Sequence, residues 1–193
     1  ITISNSPIDY SSQIVAMGSC FAENMGEKVN FYKFQNTTNP FGIIFNPVSI
    51  EKILERAIHL NYFTEADLFL HNELWHCYEV HSGLSQPNKE VMLSNLNRLL
   101  TEMNSKLAAA THLFITYGTS WVYQLRSTGV VVANCHKVPQ NQFDKELLSV
   151  YKIYLEKLKK YKRYDFEDMI NFVIEKFKSS PDFLQRYQEK FQY

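Results

Sequence analysis

Two short, largely apolar runs that each end at a glycine constrain the fold more than any other feature. Residues 14–17 end at Gly18, and residues 113–117 end at Gly118. After the first glycine, apolar side chains recur at helical spacing, at Phe21, Ala22, Met25, Val29 and Tyr32. This order predicts a buried strand, a sharp turn and a helix. Because only six of the 193 residues are glycines, the position of each glycine is informative.

Further helices are predicted from capping and periodicity. Asn46 followed by Pro47 is typical of a helix N-cap with proline at the first helical position. A longer amphipathic helix is predicted over residues 88–110. From Asp144 onward the chain is expected to be helical, with its basic run on a solvated face.

Between these helices the sequence predicts strands and turns. Residues 74–80 alternate as a strand does, and residues 121–124 with residues 130–133 are typical of a hairpin. The polar cluster at residues 36–39 indicates a turn. Alternating strands and helices favour an α/β domain with a mainly parallel sheet and C-terminal helices. We expect a single domain over residues 1–193.

Composition excludes several classes of protein. Twenty Lys and Arg balance twenty Asp and Glu, so the chain lacks the basic surface of a nucleic-acid-binding protein. No apolar stretch approaches the ~20 residues of a membrane span, and the start at Ile1 has no signal-peptide pattern. The three cysteines, Cys20, Cys77 and Cys135, are odd in number and far apart, which favours a reducing, cytoplasmic compartment.

The turn Gly18-Ser19-Cys20 is the strongest candidate for chemistry. Ligands of parallel sheets bind at the carboxyl ends of the strands, so we expect the turns at Gly18 and Gly118 to share one rim. Unpaired N–H groups at the start of a helix favour a thiolate and stabilise a developing oxyanion. The structural alternative is that Ser19 is a helix N-cap and Cys20 is a small buried hydrophobic residue.

Three histidines, His71, His76 and His81, recur every five residues, but this spacing gives no common face on a strand or on a helix. We therefore expect no metal site and no cofactor, and His76 is interpreted as a core histidine. Glu79 and His81 fall on one face of the predicted strand. They are either an acid–base pair or, as we favour, an ordinary surface pair.

Five separated motifs resemble the GSCFA family. They are Gly18-Ser19-Cys20-Phe21-Ala22, Asn39-Pro40-Phe41-Gly42-Ile43-Ile44-Phe45-Asn46-Pro47, Leu74-Trp75-His76 with His81-Ser82, Tyr117-Gly118-Thr119-Ser120-Trp121-Val122-Tyr123, and Ala133-Asn134-Cys135-His136-Lys137-Val138-Pro139. They follow the family's order over residues 14–148, which is far more specific than one short motif. The family is similar to the SGNH (GDSL-like) hydrolases, so the resemblance implies a three-layer, flavodoxin-like α/β fold and an ester or acyl hydrolase.

The resemblance also implies roles for individual residues. Cys20 occupies the position of the nucleophile, and Ser19 the position before it. Gly42 corresponds to the glycine whose N–H helps to form the oxyanion hole, and Ser120 replaces the asparagine that stabilises the oxyanion. Asp168 corresponds to the carboxylate that orients the catalytic histidine.

The catalytic histidine itself is absent, because Asn171 stands in its position and every histidine precedes Lys137. We expect that internal segments are missing after the helix near residues 157–160 and just after Ile170. If they are not, His136 is the best substitute base. The alternative for His136 is a loop residue whose ring bonds to backbone.

These observations predict a hydrolase of a small ester or acylated molecule, with Cys20 favoured over Ser19 as nucleophile. The N–H groups of Cys20 and Gly42 and the Ser120 hydroxyl would hold the oxyanion. Two further residues, Asn134 and His81, are candidates for substrate contact. The alternatives are a non-catalytic module that binds a small ligand and an interaction protein that uses its aromatic C-terminal helices; the oligomeric state is not determined by the sequence.

Overall fold

A computed structural model describes residues 7–148 and 178–179. The chain divides into two compact units, residues 1–147 and 148–193, and every element below lies in the first. The helices of that unit are α1 (Cys20–Phe31), α2 (Pro47–His59) and α3 (Lys89–Ala109). Its strands are β1 (Gln13–Gly18), β2 (Gln35–Thr38), β3 (Leu68–His71), β4 (Leu74–Cys77), β5 (His112–Thr116), β6 (Trp121–Leu125), β7 (Val131–Val132) and β8 (Phe143–Leu147).

A parallel sheet in the order β2-β1-β5 forms the centre of this unit. In its register Gly18 of β1 lies opposite Thr116 of β5. Val15 and Met17 belong to the core cluster that includes residues of α2 and α3. Ile14 and Ala16 alternate with them and point to the other face of the sheet. All four side chains are buried, which confirms the predicted central strand and the mixed α/β class.

Each of the three helices begins directly after a residue whose side chain caps it. Ser19 is the N-cap of α1, and its Oγ accepts a hydrogen bond from the Phe21 N–H. Asn46 caps α2 through the Ser49 N–H, with Pro47 in the first turn. Asn88 caps α3 in the same way. These caps satisfy N–H groups that would otherwise lack a partner inside the protein.

The interpretation of residues 36–39 as a turn is wrong for most of this segment. Gln35–Thr38 is a strand that pairs in parallel with β1. The polar side chains remain bonded, since the Asn36 amide donates to the Gly26 carbonyl at 3.2 Å. The chain leaves the strand only at Asn39, whose φ of 43° lies in the left-handed region.

The predicted strand over residues 74–80 is shorter in the structure. It ends at Cys77 and forms an antiparallel hairpin with β3. Beyond it the Val80 N–H donates to the Cys77 carbonyl, so the chain turns there. The predicted parallel arrangement thus holds for the central sheet, whereas the two other sheets of the unit are antiparallel.

The predicted hairpin of β6 and β7 is confirmed, but the helical prediction from Asp144 is wrong for β8. Residues 143–147 pair with β6 in an antiparallel sheet of order β7-β6-β8. Cross-strand contacts stabilise this arrangement: Arg126 pairs with Asp144 at 2.8 Å, and the Lys145 ammonium lies over the Trp121 ring. Such pairing overrides a helix-favouring composition. The rest of the predicted helical region lies outside the described residues.

Arg56 of α2 organises a cluster of charges at the edge of the core. Its Nε donates to Glu79 at 2.6 Å, and its second terminal nitrogen reaches both Glu79 at 2.9 Å and Asp67 at 2.7 Å. Lys52 also pairs with Glu79. The predicted pair of Glu79 and His81 is therefore wrong, since the buried Glu79 carboxylate is bound by the two cations.

Within residues 7–148 and 178–179, none of the helices has both the length and the apolar character needed to span a membrane.

Candidate functional site

The site is built on the junction between β1 and α1. Gly18 has a φ of 132°, and a Cβ at this position would lie 1.9 Å from the Thr116 carbonyl oxygen. Only glycine fits so close an approach of β1 to β5. The chain then turns into α1, which places Cys20 at the first helical position with its residue surface exposed. The exposure of Cys20 contradicts its alternative interpretation as a buried hydrophobic residue.

Ser19 is held inside the junction. Its surface is 6% exposed, and its Oγ both accepts from the Phe21 N–H at 3.3 Å and lies 3.0 Å from the Thr116 Oγ1. Its backbone N–H donates to the Thr116 carbonyl at 3.0 Å. The interpretation of Ser19 as an N-cap is confirmed, and its hydroxyl is engaged in structural hydrogen bonds.

The two glycine turns do share one rim. A Cβ on Gly118 would lie 3.1 Å from the Ser19 Cβ and 2.5 Å from the Phe45 ring. The Gly118 N–H donates to the Phe45 carbonyl at 2.9 Å, and the Ile44 N–H donates to the Gly18 carbonyl at 3.0 Å. These bonds bring the loop before α2 and the loop after β5 against the start of α1.

The N–H groups at this rim differ in availability. The Cys20 N–H has no acceptor among residues 7–148, whereas the Phe21 N–H is taken by the Ser19 cap. The Gly42 N–H donates to the Asn39 carbonyl at 2.8 Å. The expectation that Gly42 donates to an oxyanion is therefore wrong for this arrangement, because its hydrogen closes a turn. Ser120 is half-buried in the loop between β5 and β6.

His136 lies in the interior and not on the rim. Only 3% of its surface is exposed, and its Nε2 lies 2.7 Å from the Cys77 carbonyl oxygen. Because a carbonyl only accepts, Nε2 carries the hydrogen, while Nδ1 is buried and has no partner in the described structure. Burial, with smaller effects from His76 and His81, lowers the pKa of His136 to about 4. The prediction of a rim base is wrong, and the alternative of a ring bonded to backbone is confirmed.

Asn134 and His81 also serve local structure. The Asn134 Oδ1 accepts from the His136 N–H at 2.8 Å, which supports a turn whose φ is 49° at His136. The His81 Nδ1 accepts from the Gly83 N–H at 3.1 Å. The half-buried His81 side chain also packs against Gly42, because a Cβ added at Gly42 would lie 2.3 Å from the His81 Cβ. Their predicted contacts with substrate stay predictions.

His76 is a core histidine, as expected. It is 6% exposed, and its Nδ1 lies 2.6 Å from the Ser85 Oγ. Its Nε2 lies 3.0 Å from the His71 carbonyl and must carry the hydrogen.

Within the described ranges, no group of three or more His, Cys, Asp or Glu side chains has a geometry that holds a metal ion.

The three thiols have different surroundings. Cys77 is fully buried, and burial raises its pKa to about 12. Burial also raises the pKa of the half-buried Cys135. Cys20 alone of the three is exposed. Since the thiolate is the nucleophile, burial makes Cys77 and Cys135 poor candidates.

Sequence reasoning did not single out Asn39, which bonds directly to the junction. Its Oδ1 accepts from the Gly18 N–H at 2.8 Å, and its Nδ2 donates to the Glu23 carboxylate at 2.8 Å. Asparagine before a proline, at the end of a polar run, was a sequence signal of a residue with special backbone geometry. Asp168, the predicted orienting carboxylate, lies outside the described residues.

Comparison with known proteins identifies the family. The sequence profile of the GSCFA family matches residues 13–174, which is most of the chain. The chain belongs to the GSCFA family. The matched range contains the GSCFA junction at Cys20, the Gly42 loop and the Gly118 turn. No solved structure matches the chain.

A second similarity is short. An ATP-dependent DNA helicase PcrA of Leuconostoc citreum is 40% identical over 57 residues, which cover 30% of this chain and 8% of the helicase. This GSCFA protein thus spans a small fraction of that relative, and the similarity does not extend to the helicase as a whole.

Proposed function

We propose that this GSCFA protein is a hydrolase of ester or acyl linkages in which Cys20 is the nucleophile. The observation that carries the proposal is the contrast at the β1–α1 junction. Cys20 is exposed at the first position of α1, while the neighbouring Ser19 hydroxyl is buried and bonded. A nucleophile on a strand-to-helix turn, beside backbone donors, is the arrangement that acyl transfer uses.

The proposed reaction has two steps. The Cys20 Sγ attacks the carbonyl carbon, and the alcohol leaves with a proton, so that a thioester forms on Cys20. Water then attacks the thioester and releases the acid. The Cys20 N–H and the Ser120 hydroxyl are the proposed donors to the oxyanion, since the Gly42 N–H closes its own turn.

The fold supports a relationship to the SGNH hydrolases. Parallel strands lie in the order β2-β1-β5, and the Gly18 and Gly118 turns meet at their carboxyl ends. One face of β1 packs with α2 and α3, and α1 contacts β1 and β2. A three-layer, flavodoxin-like arrangement is therefore part of the proposal. A cytoplasmic location is also proposed, and the three free thiols are compatible with it.

The imidazoles favour a second candidate, a module that binds a small acylated ligand without turning it over. His136 is buried and His81 accepts from Gly83, so neither offers an available lone pair at the rim. Hydrolysis by Cys20 requires a base. Asp168 is proposed to orient a histidine base that stands in the segments expected to be missing after residues 157–160 and after Ile170, since no histidine follows His136.

The first experiment separates the two candidates with a short-chain p-nitrophenyl ester. A hydrolase loses turnover in Cys20→Ala, down to the rate in buffer, and forms a Cys20 acyl adduct that mass spectrometry detects in the native protein. Cys135→Ala is the matched control, because it removes a thiol outside the junction. Both variants are checked for native circular dichroism and thermal unfolding.

Full turnover in folded Cys20→Ala would exclude Cys20 as nucleophile. If the native protein did not turn over the p-nitrophenyl ester but bound it as tightly as Cys20→Ala does, the binding module would be established instead.

A further inference from the structure

Asn39 connects three segments of the candidate site. Its backbone N–H donates to the Ala16 carbonyl at 2.9 Å, and its carbonyl accepts from the Gly42 N–H at 2.8 Å. Its Oδ1 accepts from the Gly18 N–H, and its Nδ2 donates to the Glu23 Oε2, each at 2.8 Å. Asn39 therefore joins the end of β1, the Gly42 loop and the first turn of α1.

The side chain at this position must supply an acceptor and a donor at the same time. The Gly18 N–H only donates and the Glu23 carboxylate only accepts, so the orientation of the Asn39 amide is determined. The backbone φ of 43° is one that asparagine tolerates. Asn39 is 7% exposed, so water has little access to replace a lost partner.

Both side-chain bonds of Asn39 bear on Cys20. Gly18 precedes Cys20 by two residues, and Glu23 follows it by three. The Glu23 carboxylate lies in the first turn of α1, the turn that begins with Cys20, and it is bonded to the Asn39 amide. The Asn39 amide therefore holds the backbone before Cys20 and the first helical turn after it.

We propose that Asn39 is the positioning residue of the Cys20 junction and that Glu23 fixes the orientation of its amide. The pair sets the reactivity of the Cys20 thiol by holding the backbone on both sides of Cys20. The consequence for catalysis rests on the proposed function, whereas the consequence for thiol reactivity does not.

A donor–acceptor exchange tests the proposal without any substrate. In Asn39→Asp the amide donor is lost and a carboxylate faces Glu23. In the double variant Asn39→Asp/Glu23→Gln an acceptor for Gly18 and a donor toward position 39 are both present again. The readout is the rate of Cys20 alkylation by iodoacetamide from pH 6 to pH 9, followed by mass spectrometry of the Cys20 peptide.

We expect Asn39→Asp to slow alkylation at pH 7 roughly two- to tenfold, the range that one lost hydrogen bond implies. The double variant should return to within about twofold of the native rate. Asn36→Asp is the matched control, because the Asn36 amide bonds to Gly26 and Thr38 and not to the junction. A native rate in Asn39→Asp, no recovery in the double variant, or equal slowing in Asn36→Asp would overturn the proposal.

A second pair of variants remains informative if the Asn39 variants do not fold. Glu23→Gln and Glu23→Ala both remove the negative charge, but only Glu23→Gln keeps an acceptor for the Asn39 amide. Positioning predicts slower Cys20 alkylation in Glu23→Ala than in Glu23→Gln. Equal rates in these two variants would contradict it. Because alkylation needs no ester, these results are independent of whether the protein turns over the p-nitrophenyl ester.

Discussion

The junction at Cys20 and the surroundings of His136 use polar groups in opposite ways. At the junction, backbone and amide hydrogen bonds fix the chain while the thiol stays exposed. The His136 imidazole, in contrast, is buried among the rings of Phe69, His76 and Tyr78, and its N–H donates to the Cys77 carbonyl. Two side chains that are both candidates in the sequence thus differ in the fold, because Cys20 is exposed and His136 is buried.

This contrast explains why the surroundings of Cys20 are recognisable in the sequence and those of His136 are not. The exposed position of Cys20 follows from local chain geometry, that is, from a strand, a glycine and a helix start. The position of His136 depends on contacts between distant residues, since it is bound to a carbonyl 59 positions away. Among the described residues the junction therefore presents an exposed thiol, and the His136 region is part of the interior.

The largest expected effect comes from breaking the junction with Gly18→Ala. The new Cβ would collide with the Thr116 carbonyl, and φ at this position is 132°. We expect a loss of about 4 kcal/mol or more in the free energy of unfolding, measured by urea denaturation. Gly129→Ala is the matched control, since its φ is 69° and nothing lies within 4 Å of its added Cβ. It should cost only about 1–2 kcal/mol. Similar losses in the two variants would contradict the close packing of β1 against β5.

The second-largest expected effect is a pH dependence of the free energy of unfolding that comes from the buried His136. The unfolded His136 binds a proton below pH 6.5, whereas the folded pKa is about 4. Stability from this residue is therefore complete above pH 6.5 and falls as the pH drops toward 4, by about 3 kcal/mol in all. Urea denaturation at several pH values measures this change.

His136→Gln should remove that part of the pH dependence, while His59→Gln, at the exposed end of α2, should leave it unchanged. An unaltered slope between pH 6.5 and 4 in His136→Gln would show that the imidazole is accessible to protons in the folded protein.

The smallest expected effect separates the cap from the nucleophile. Ser19→Ala removes the N-cap of α1 and the bond to Thr116, and it should lower the free energy of unfolding by about 1 kcal/mol. Turnover and Cys20 alkylation should persist, because the thiol is untouched. If folded Ser19→Ala lost all turnover while Cys20→Ala kept it, the roles of the two residues would be exchanged.

The sequence predicted those parts of the fold that depend on neighbouring residues. The N-cap at Asn46, the alternative interpretation of Ser19 as an N-cap, the helix that starts near Asn88 and the central strand at residues 14–17 are local signals, and the structure confirms them. The strand at residues 35–38 and the strand at residues 143–147 were not predicted. Their polar and charged side chains suit turns or helices, and pairing with β1 and β6 decides their conformation instead.

The candidate site was predictable to the same extent. The rim shared by Gly18 and Gly118 followed from strand order, and the structure places the exposed Cys20 thiol there. The bonds of Asn39 to Gly18 and Glu23 were not predictable, since they depend on the left-handed turn after β2. The burial of His136 likewise depends on its contacts with the hairpin of β3 and β4, which is distant from it in the sequence.

The ion pairs of Arg56 have a consequence for local unfolding of the protein. Its guanidinium holds α2, the segment before β3 and the turn after β4 in one charge cluster. If any one of these three segments separated from the others, a partly buried charge would lose its ion-pair partner, which is energetically costly. Amide hydrogens in these segments should therefore exchange with solvent as one cooperative group, although they are far apart along the chain.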